Sequence, residues 1–326
     1  MARPLSDIKV AALLGPTAVG KSAIAVQLAL DMGAEIVSVD SMQVYRGMDI
    51  GTAKPPPEVR SAVPHHMIDL VEPDVEFSVS RFQEEARRAV EEIAARGNLP
   101  LLVGGTGLYF EAVVFDLRFP PGGRDDEIRR EVERWAEEDP EGLRERLREI
   151  DPAFAARDDF TNMRRVIRAM EVYRRTGRPM SAFQARRGSQ PPYFRYAGVA
   201  IDAPRQALYR AIERRVDAMM EAGLLEEVRA LAAAGGLSRT ARQALGYKEI
   251  MDHLDRGIPL DETISEIKRR SRRYAKRQLT WLRRVPGLCW FTLEEADLHA
   301  RPPQAWRSIR ELLEREMAKA VRDEIE

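Results

Sequence analysis

The sequence predicts an α/β fold: a P-loop NTPase-like core on a parallel sheet, carrying an all-helical insertion. Three observations predict it. Short apolar runs with β-branched residues alternate with helical patterns, the arrangement of a parallel sheet with both faces covered. Residues 15–22 read GPTAVGKS, the G-x-x-x-x-G-K-[ST] phosphate loop, placed after an apolar run and before a helical one as that loop requires. The stretch from Asp116 to Pro192 holds only helical patterns. It opens with Phe119-Pro120-Pro121-Gly122-Gly123 and closes with Gln190-Pro191-Pro192, borders expected of an insertion. The expected division is a catalytic core of residues 1–116 and 193–326, with residues 117–192 as the inserted unit.

The first strand is expected at Ile8–Leu14. Backbone N–H groups of the following loop, Gly15, Pro16, Thr17, Ala18, Val19, Gly20, Lys21 and Ser22, converge on an anion (proline lacks one), and the helix start behind them adds partial positive charge. Lys21 reaches phosphate oxygens in such a loop, and the Ser22 hydroxyl ligates Mg²⁺. A helix over Ala23–Leu30 completes the motif. The next strand, Ile36–Val39, ends in Asp40. In an open α/β sheet ligands sit beyond the C-terminal strand ends, so a strand adjacent to the first aims Asp40 at the loop's ligand. A helix N-cap or an outer-sphere Mg²⁺ partner is the alternative role.

His65 and His66 follow Pro64 as a pair whose spacing suits a loop position rather than two ligands on one helical face. A helix is expected over Phe82–Arg96, then a strand at Leu99–Val103 running into Gly104-Gly105-Thr106-Gly107. Nucleotide-hydrolysing enzymes usually end such a strand in an Asp for Mg²⁺, and here the turn offers backbone donors and the Thr106 hydroxyl instead. Asn-Lys-x-Asp is missing as well, which argues against a GTPase. After the insertion come a strand at Arg195–Ile201 and a helix at Arg205–Glu221. Ala244–Glu249 reads ALGYKE, where Gly246 permits a tight approach and Tyr247 suits the core. The last long helix, Glu262–Arg284, precedes a weaker strand at Leu288–Phe291. Its apolar stripe is Ile264, Ile267, Ser271, Tyr274, Gln278 and Trp281.

Charge sharpens the reading. Lys plus Arg equals Asp plus Glu, 52 each in 326 residues, so no global field draws in nucleic acid. Basic residues are segregated instead: every charged side chain from Lys268 to Arg284 is a cation, and Arg164 to Arg187 is nearly so. Either stretch alone is explained by a solvated helix. Together they favour one extended polyanion, with Arg making bidentate contacts to an RNA backbone. The single Cys289 excludes an internal disulfide and a Cys-based zinc finger. The start of the chain has no secretory pattern, and no apolar run approaches the roughly 20 residues that span a bilayer. A soluble cytoplasmic protein with frayed ends, Met1–Asp7 and the final charged residues, is expected. Two other classes fit parts of this pattern: a small-metabolite kinase with an Arg-rich lid, and an ATP-gated RNA-binding module.

Five blocks in order decide among them. GPTAVGKS (15–22), VSVDSMQVYRGMDIGTAKP (37–55), LLVGGTGLYF (101–110), QALGYKE (243–249) and RRYAKRQLTWLRR (272–284) resemble the tRNA dimethylallyltransferase family across essentially the whole chain. The resemblance implies dimethylallyl diphosphate as donor, N6 of adenosine 37 in the tRNA anticodon stem-loop as acceptor, Mg²⁺ as cofactor, and a monomer. It implies Asp40 as base with Thr106 orienting the amine. Asp40, Ser41, Met42, Gln43 and Thr106 then meet tRNA, together with Arg164, Arg165, Val166, Ile167, Arg168, Lys276 and Arg277. One segment departs: Asn162 and Arg164 stand where the family usually has Asp and Gln, which bears on individual RNA contacts there.

Overall fold

A computed structural model describes residues 6–121, 126–183, 192–298 and 304–322. The expected fraying of Met1–Leu5 and of the last four residues, and the Gly122-Gly123 and Gln190-Pro191 borders, lie outside these residues.

Strand β1 (Lys9–Leu14) is buried after its first residue and feeds the phosphate loop. Helix α1 (Lys21–Met32) starts behind Gly20 and stops at Gly33, both left-handed, φ 90° and 62°. β2 (Ala34–Val39) is buried at all six positions. The short α2 (Pro57–Ala62) leads to β3, only His65–His66. This corrects the loop expectation: the two residues pair with Ile36 and Val37 at the sheet edge, too short a strand for any periodic signal. His65 Nδ1 lies 2.7 Å from the Val63 carbonyl, and His66 Nε2 lies 2.6 Å from Glu35. Arg96 and Asn98 also donate to Glu35, and mainly the Arg96 hydrogen bond lowers its pKa to about 2.

Helix α3 (Val79–Ala95) is capped by Ser78 and buries Phe82, Ala86, Ala89, Val90 and Ile93, one face at helical spacing. β4 (Leu99–Gly104) and α4 (Gly107–Val114) complete the first half of the core. Residues Asp116–Gln190 then form a compact unit of their own. It contains α5 (Asp126–Glu138), α6 (Pro140–Ile150), α7 (Pro152–Ala155) and α8 (Met163–Thr176). Its apolar centre includes Val132, Leu147, Phe154, Val166 and Met170. Asp139 and Asp151 cap α6 and α7, each with proline in the first turn. Glu171, fully buried, sits between Arg129 at 3.1 Å and Arg168 at 2.6 Å.

The remainder, with the first 115 residues, makes the other compact unit. It runs through β5 (Arg195–Asp202), α9 (Arg205–Glu221), α10 (Leu224–Ala233), α11 (Tyr247–Arg256), α12 (Leu260–Leu282), β6 (Leu288–Thr292) and α13 (Trp306–Arg322). Among the described residues no helix is long and apolar enough to cross a membrane. α12 buries Thr263, Ile267, Ser271, Ala275, Gln278 and Leu282. The face is therefore rotated from the expected stripe: Tyr274 and Trp281 are only half-buried, and Tyr274 borders the site.

All six strands are parallel in the order β3-β2-β4-β1-β5-β6. The expectation that the Asp40 strand neighbours β1 is thus corrected: β4 lies between them. Asp40 still reaches the cleft because β4 ends in glycine. A Cβ on Gly104 would lie 2.5 Å from the Val39 carbonyl oxygen, and the Gly104 carbonyl accepts from Gly15 N at 3.2 Å. The chain fills one side of β1 with β2–β4 and the other with β5 and β6. The ligand crevice of an open α/β sheet opens at this switch.

Because the atom that meets that Cβ is backbone, Gly104→Ala forces β2 and β4 apart. Thermal unfolding should show a loss of about 1–3 kcal/mol; an unchanged melting temperature would refute the close approach.

Candidate active site

The phosphate loop is shaped by what surrounds it. Ala18 and Gly20 both take positive φ, 65° and 90°. Gly15 lies against β5, where a Cβ would come within 2.8 Å of the Ile201 carbonyl. Thr17 N donates to Gln278 Oε1 of α12 at 2.9 Å, fixing the loop to a helix that follows it by more than 200 residues. Gly105 is closed in by the same side chain: a Cβ there would meet Gln278 Nε2 at 2.2 Å. Lys21 Nζ donates to the Pro16 carbonyl at 2.6 Å. Burial, reinforced by Arg215 and opposed by Asp40, lowers the Lys21 pKa to about 7.

Three cavities meet at this loop. The smallest, about 100 Å³, is walled by Thr17, Lys21, Ser22, Asp40, Arg215 and Tyr274, among others. A second, about 490 Å³, shares Thr17, Asp40, Arg215 and Tyr274 and extends along Ser41, Met42, Gly51 and the 243–246 turn to Arg273 and Arg277. The third, about 1070 Å³, lies along Gly20, Lys21, Ser22, Lys54, Arg60 and Arg215. Arg215 borders all three, and burial lowers its pKa against the pull of Asp40.

Asp40 stands on the wall common to the two smaller cavities, and it is the single carboxylate lining the smallest. It caps no helix; instead its Oδ1 accepts from Met42 N at 2.8 Å in a tight turn. Oδ2 has no hydrogen bond among the described residues. Gln43 lines the small cavity, accepting from Ser38 at 2.7 Å and donating to the Thr52 carbonyl at 3.2 Å. Thr106 precedes α4 without a side-chain capping bond, and its hydroxyl lies 3.5 Å from the Tyr274 hydroxyl. It touches the cleft through Tyr274 rather than lining a cavity. Burial, with Asp40 adding to it, raises the Tyr274 pKa to about 12, so its hydroxyl is a donor at neutral pH.

The basic helix divides into two halves. Lys268 pairs with Asp217, Arg269 with Glu266, Arg270 with Glu266 and Glu249, and Arg272 with Glu213. Arg273, Lys276 and Arg277 have no carboxylate partner among the described residues. Arg277 lies over the Tyr274 ring at 5.6 Å. Its surplus charge is thus concentrated at the cleft. In the insertion, Arg164 and Arg165 are exposed and Arg168 is tied to Glu171. Val166 and Ile167 are corrected as RNA-contacting side chains: they are 0% and 8% exposed, because their spacing puts them on the face of α8 that fills the unit's core.

Sequence reasoning missed Arg215, Tyr274 and Gln278 as site residues. Arg215 lies in an ordinary amphipathic helix with no motif. Tyr274 and Gln278 were placed on a packing stripe, where a polar glutamine among apolar residues was the available signal.

The sequence matches the family described as IPP transferase over residues 43–285 and that described as isopentenyl transferase over residues 8–66. It is 51% identical over 290 residues to the tRNA dimethylallyltransferase of Moorella thermoacetica, covering 87% of this chain and 90% of that protein. Identity to the Geobacillus kaustophilus protein of the same name is 48% over 293 residues, with coverage of 90% and 93%. The fold is similar to the crystal structure of the tRNA isopentenylpyrophosphate transferase of Bacillus halodurans: TM-score 0.70, 40% identity, 98% and 99% of the two chains covered. It is also similar to a eukaryotic dimethylallyltransferase captured acting on tRNA, with TM-score 0.74, 29% identity, and 93% of this chain and 78% of that one covered.

With a pKa of about 7, Lys21 is mostly neutral at about pH 8, and an anion placed against it raises that pKa. Binding therefore takes up a proton. Calorimetric titration with inorganic pyrophosphate, in buffers of different ionisation enthalpy, should show uptake larger by up to about one proton than in Lys21→Met. Equal uptake by both proteins would contradict this assignment.

Proposed function

The chain belongs to the tRNA dimethylallyltransferase family, and from that membership we propose that its phosphate loop grips the diphosphate of dimethylallyl diphosphate while Asp40 takes the proton from the acceptor amine. The enzyme is a prenyltransferase that modifies tRNA. The observation that carries the division of roles is the position of Asp40. It is the carboxylate on the wall shared by the cavity of Lys21 and Ser22 and the larger cavity that opens along Ser41 and Met42.

The acceptor is N6 of adenosine 37 in the anticodon stem-loop. Its lone pair is delocalised into the ring, which makes it a weak nucleophile and, while neutral, scarcely an acid. As the allylic C–O bond breaks, its electron pair passes to the departing diphosphate oxygen. Lys21, Arg215 and the loop amides face that developing charge in a cleft where water competes poorly. As the C–N bond forms, the nitrogen becomes acidic and its proton passes to Asp40. Tyr274 and Thr106 orient the amine. No water has to attack phosphorus, which accounts for glycine rather than Asp after Val103.

The Ser22 hydroxyl, on the wall of the small cavity beside Lys21, would hold Mg²⁺. One protein ligand plus substrate phosphates is a common arrangement for this ion, which when bound offsets leaving-group charge. A base inside its stack cannot enter the cleft, so adenosine 37 is extruded, at a cost of about a few kcal/mol. Arg273, Lys276 and Arg277, and Arg164 and Arg165 of the insertion, hold the phosphate backbone of the stem. A monomer suffices for this scheme.

Asp40→Ala should lower prenyl transfer to unmodified tRNA at least ~100-fold, with tRNA affinity within about twofold of wild type; nucleoside mass analysis and filter binding measure the two, and a fully active variant removes Asp40 as base. Replacing residues 120–190 by a short linker should weaken tRNA binding far more than donor binding. Equal losses would place the insertion in the donor site.

A further inference from the structure

Two stretches of the family-like blocks, residues 48–55 (MDIGTAKP) and 244–249 (ALGYKE), have no part in the chemistry described above. A residue outside both joins them. Glu227, on α10, accepts from Asp49 N at 3.0 Å and Ile50 N at 2.8 Å through Oε2. Its Oε1 accepts from the Tyr247 hydroxyl and lies 3.4 Å from Gly51 N. Three consecutive backbone amides and a phenol thus converge on one carboxylate. The loop is pressed onto the same group: a Cβ on Gly51 would come within 2.4 Å of the Tyr247 ring.

The loop so held walls the cleft around Asp40, with Thr52 and Ala53 also on the small cavity of Lys21 and Ser22. Gly51 and Thr52 line the larger cavity. The Thr52 and Ala53 carbonyls accept from Gln43 Nε2 at 3.2 and 3.4 Å, and Gln43 shares its turn with Asp40. Glu227 itself borders none of the three cavities.

We propose that Glu227 is a positioning residue for the tRNA acceptor: it fixes residues 49–53 and, through Gln43, the turn that presents Asp40. This rests on the acceptor-side reading of Asp40. Because the phosphate loop itself is held separately, by Gln278 and β5, loss of the Glu227 carboxylate acts more strongly on the acceptor than on the donor.

Glu227→Gln keeps the shape but turns an N–H₂ donor toward amide donors, so at least one amide loses its acceptor. The expected result is a KM for tRNA raised and kcat lowered by on the order of tenfold, a smaller rise in the KM for dimethylallyl diphosphate, and faster hydrogen exchange at residues 49–51. Tyr247→Phe, which removes one of the four donors, should give the same split more weakly, and it decides the matter if Glu227→Gln folds poorly. Unchanged kinetics, unchanged exchange at 49–51, or a parallel rise in both KM values with a lowered melting temperature would overturn the proposal. An active Asp40→Ala enzyme would instead overturn the acceptor reading, and faster exchange at 49–51 in Glu227→Gln would persist.

Discussion

Lys21, Arg215 and Asp40 share one partly desolvated cleft at the C-terminal ends of the strands, and the rest of the site is arranged around that concentration of charge. Burial takes both cations out of water and depresses Lys21 and Arg215, repulsion from Arg215 lowers Lys21 further, and Asp40 opposes the effect on each. An anionic group resolves the conflict. A cleft that is strained while it holds only its own charges favours a ligand rich in negative charge, and it favours that ligand more as charge accumulates on a leaving group. The same Asp40 that tempers the cations is the base proposed for the acceptor amine.

The geometry depends on backbone approaching backbone. β4 separates the Asp40 strand from the phosphate-loop strand, and a side chain at its end would fill the space across which Asp40 and Lys21 influence each other. Gly104 and Gly105 leave that space to Val39, Gly15 and Gln278. Glycine here has a steric reason at each position.

Helix α12 serves two purposes by rotation alone. Its buried face anchors Gln278 against the loop, and its bordering residues Tyr274 and Arg277 reach the cleft. Carboxylates on α9, α11 and its own first turns neutralise the N-terminal half of its basic run. Arg273 and Arg277, without a carboxylate partner among the described residues, line the cleft. A count of zero net charge conceals this, because pairing is a property of folded neighbours.

The order of strands and helices, the phosphate loop and the helical insertion were legible in the chain itself, since each rests on local periodicity or on a motif whose glycines and lysine have one steric and electrostatic use. Five ordered blocks also carried the family. What only the tertiary structure decided was contact between distant segments: β4 between β1 and β2, His65–His66 as an edge strand, Val166 and Ile167 in a core, and Arg215, Gln278 and Glu227 as supports of the site. Local pattern reports which residues share a face; it does not report what that face meets. That depends on sheet order and helix rotation, which are set by the packing of the whole chain.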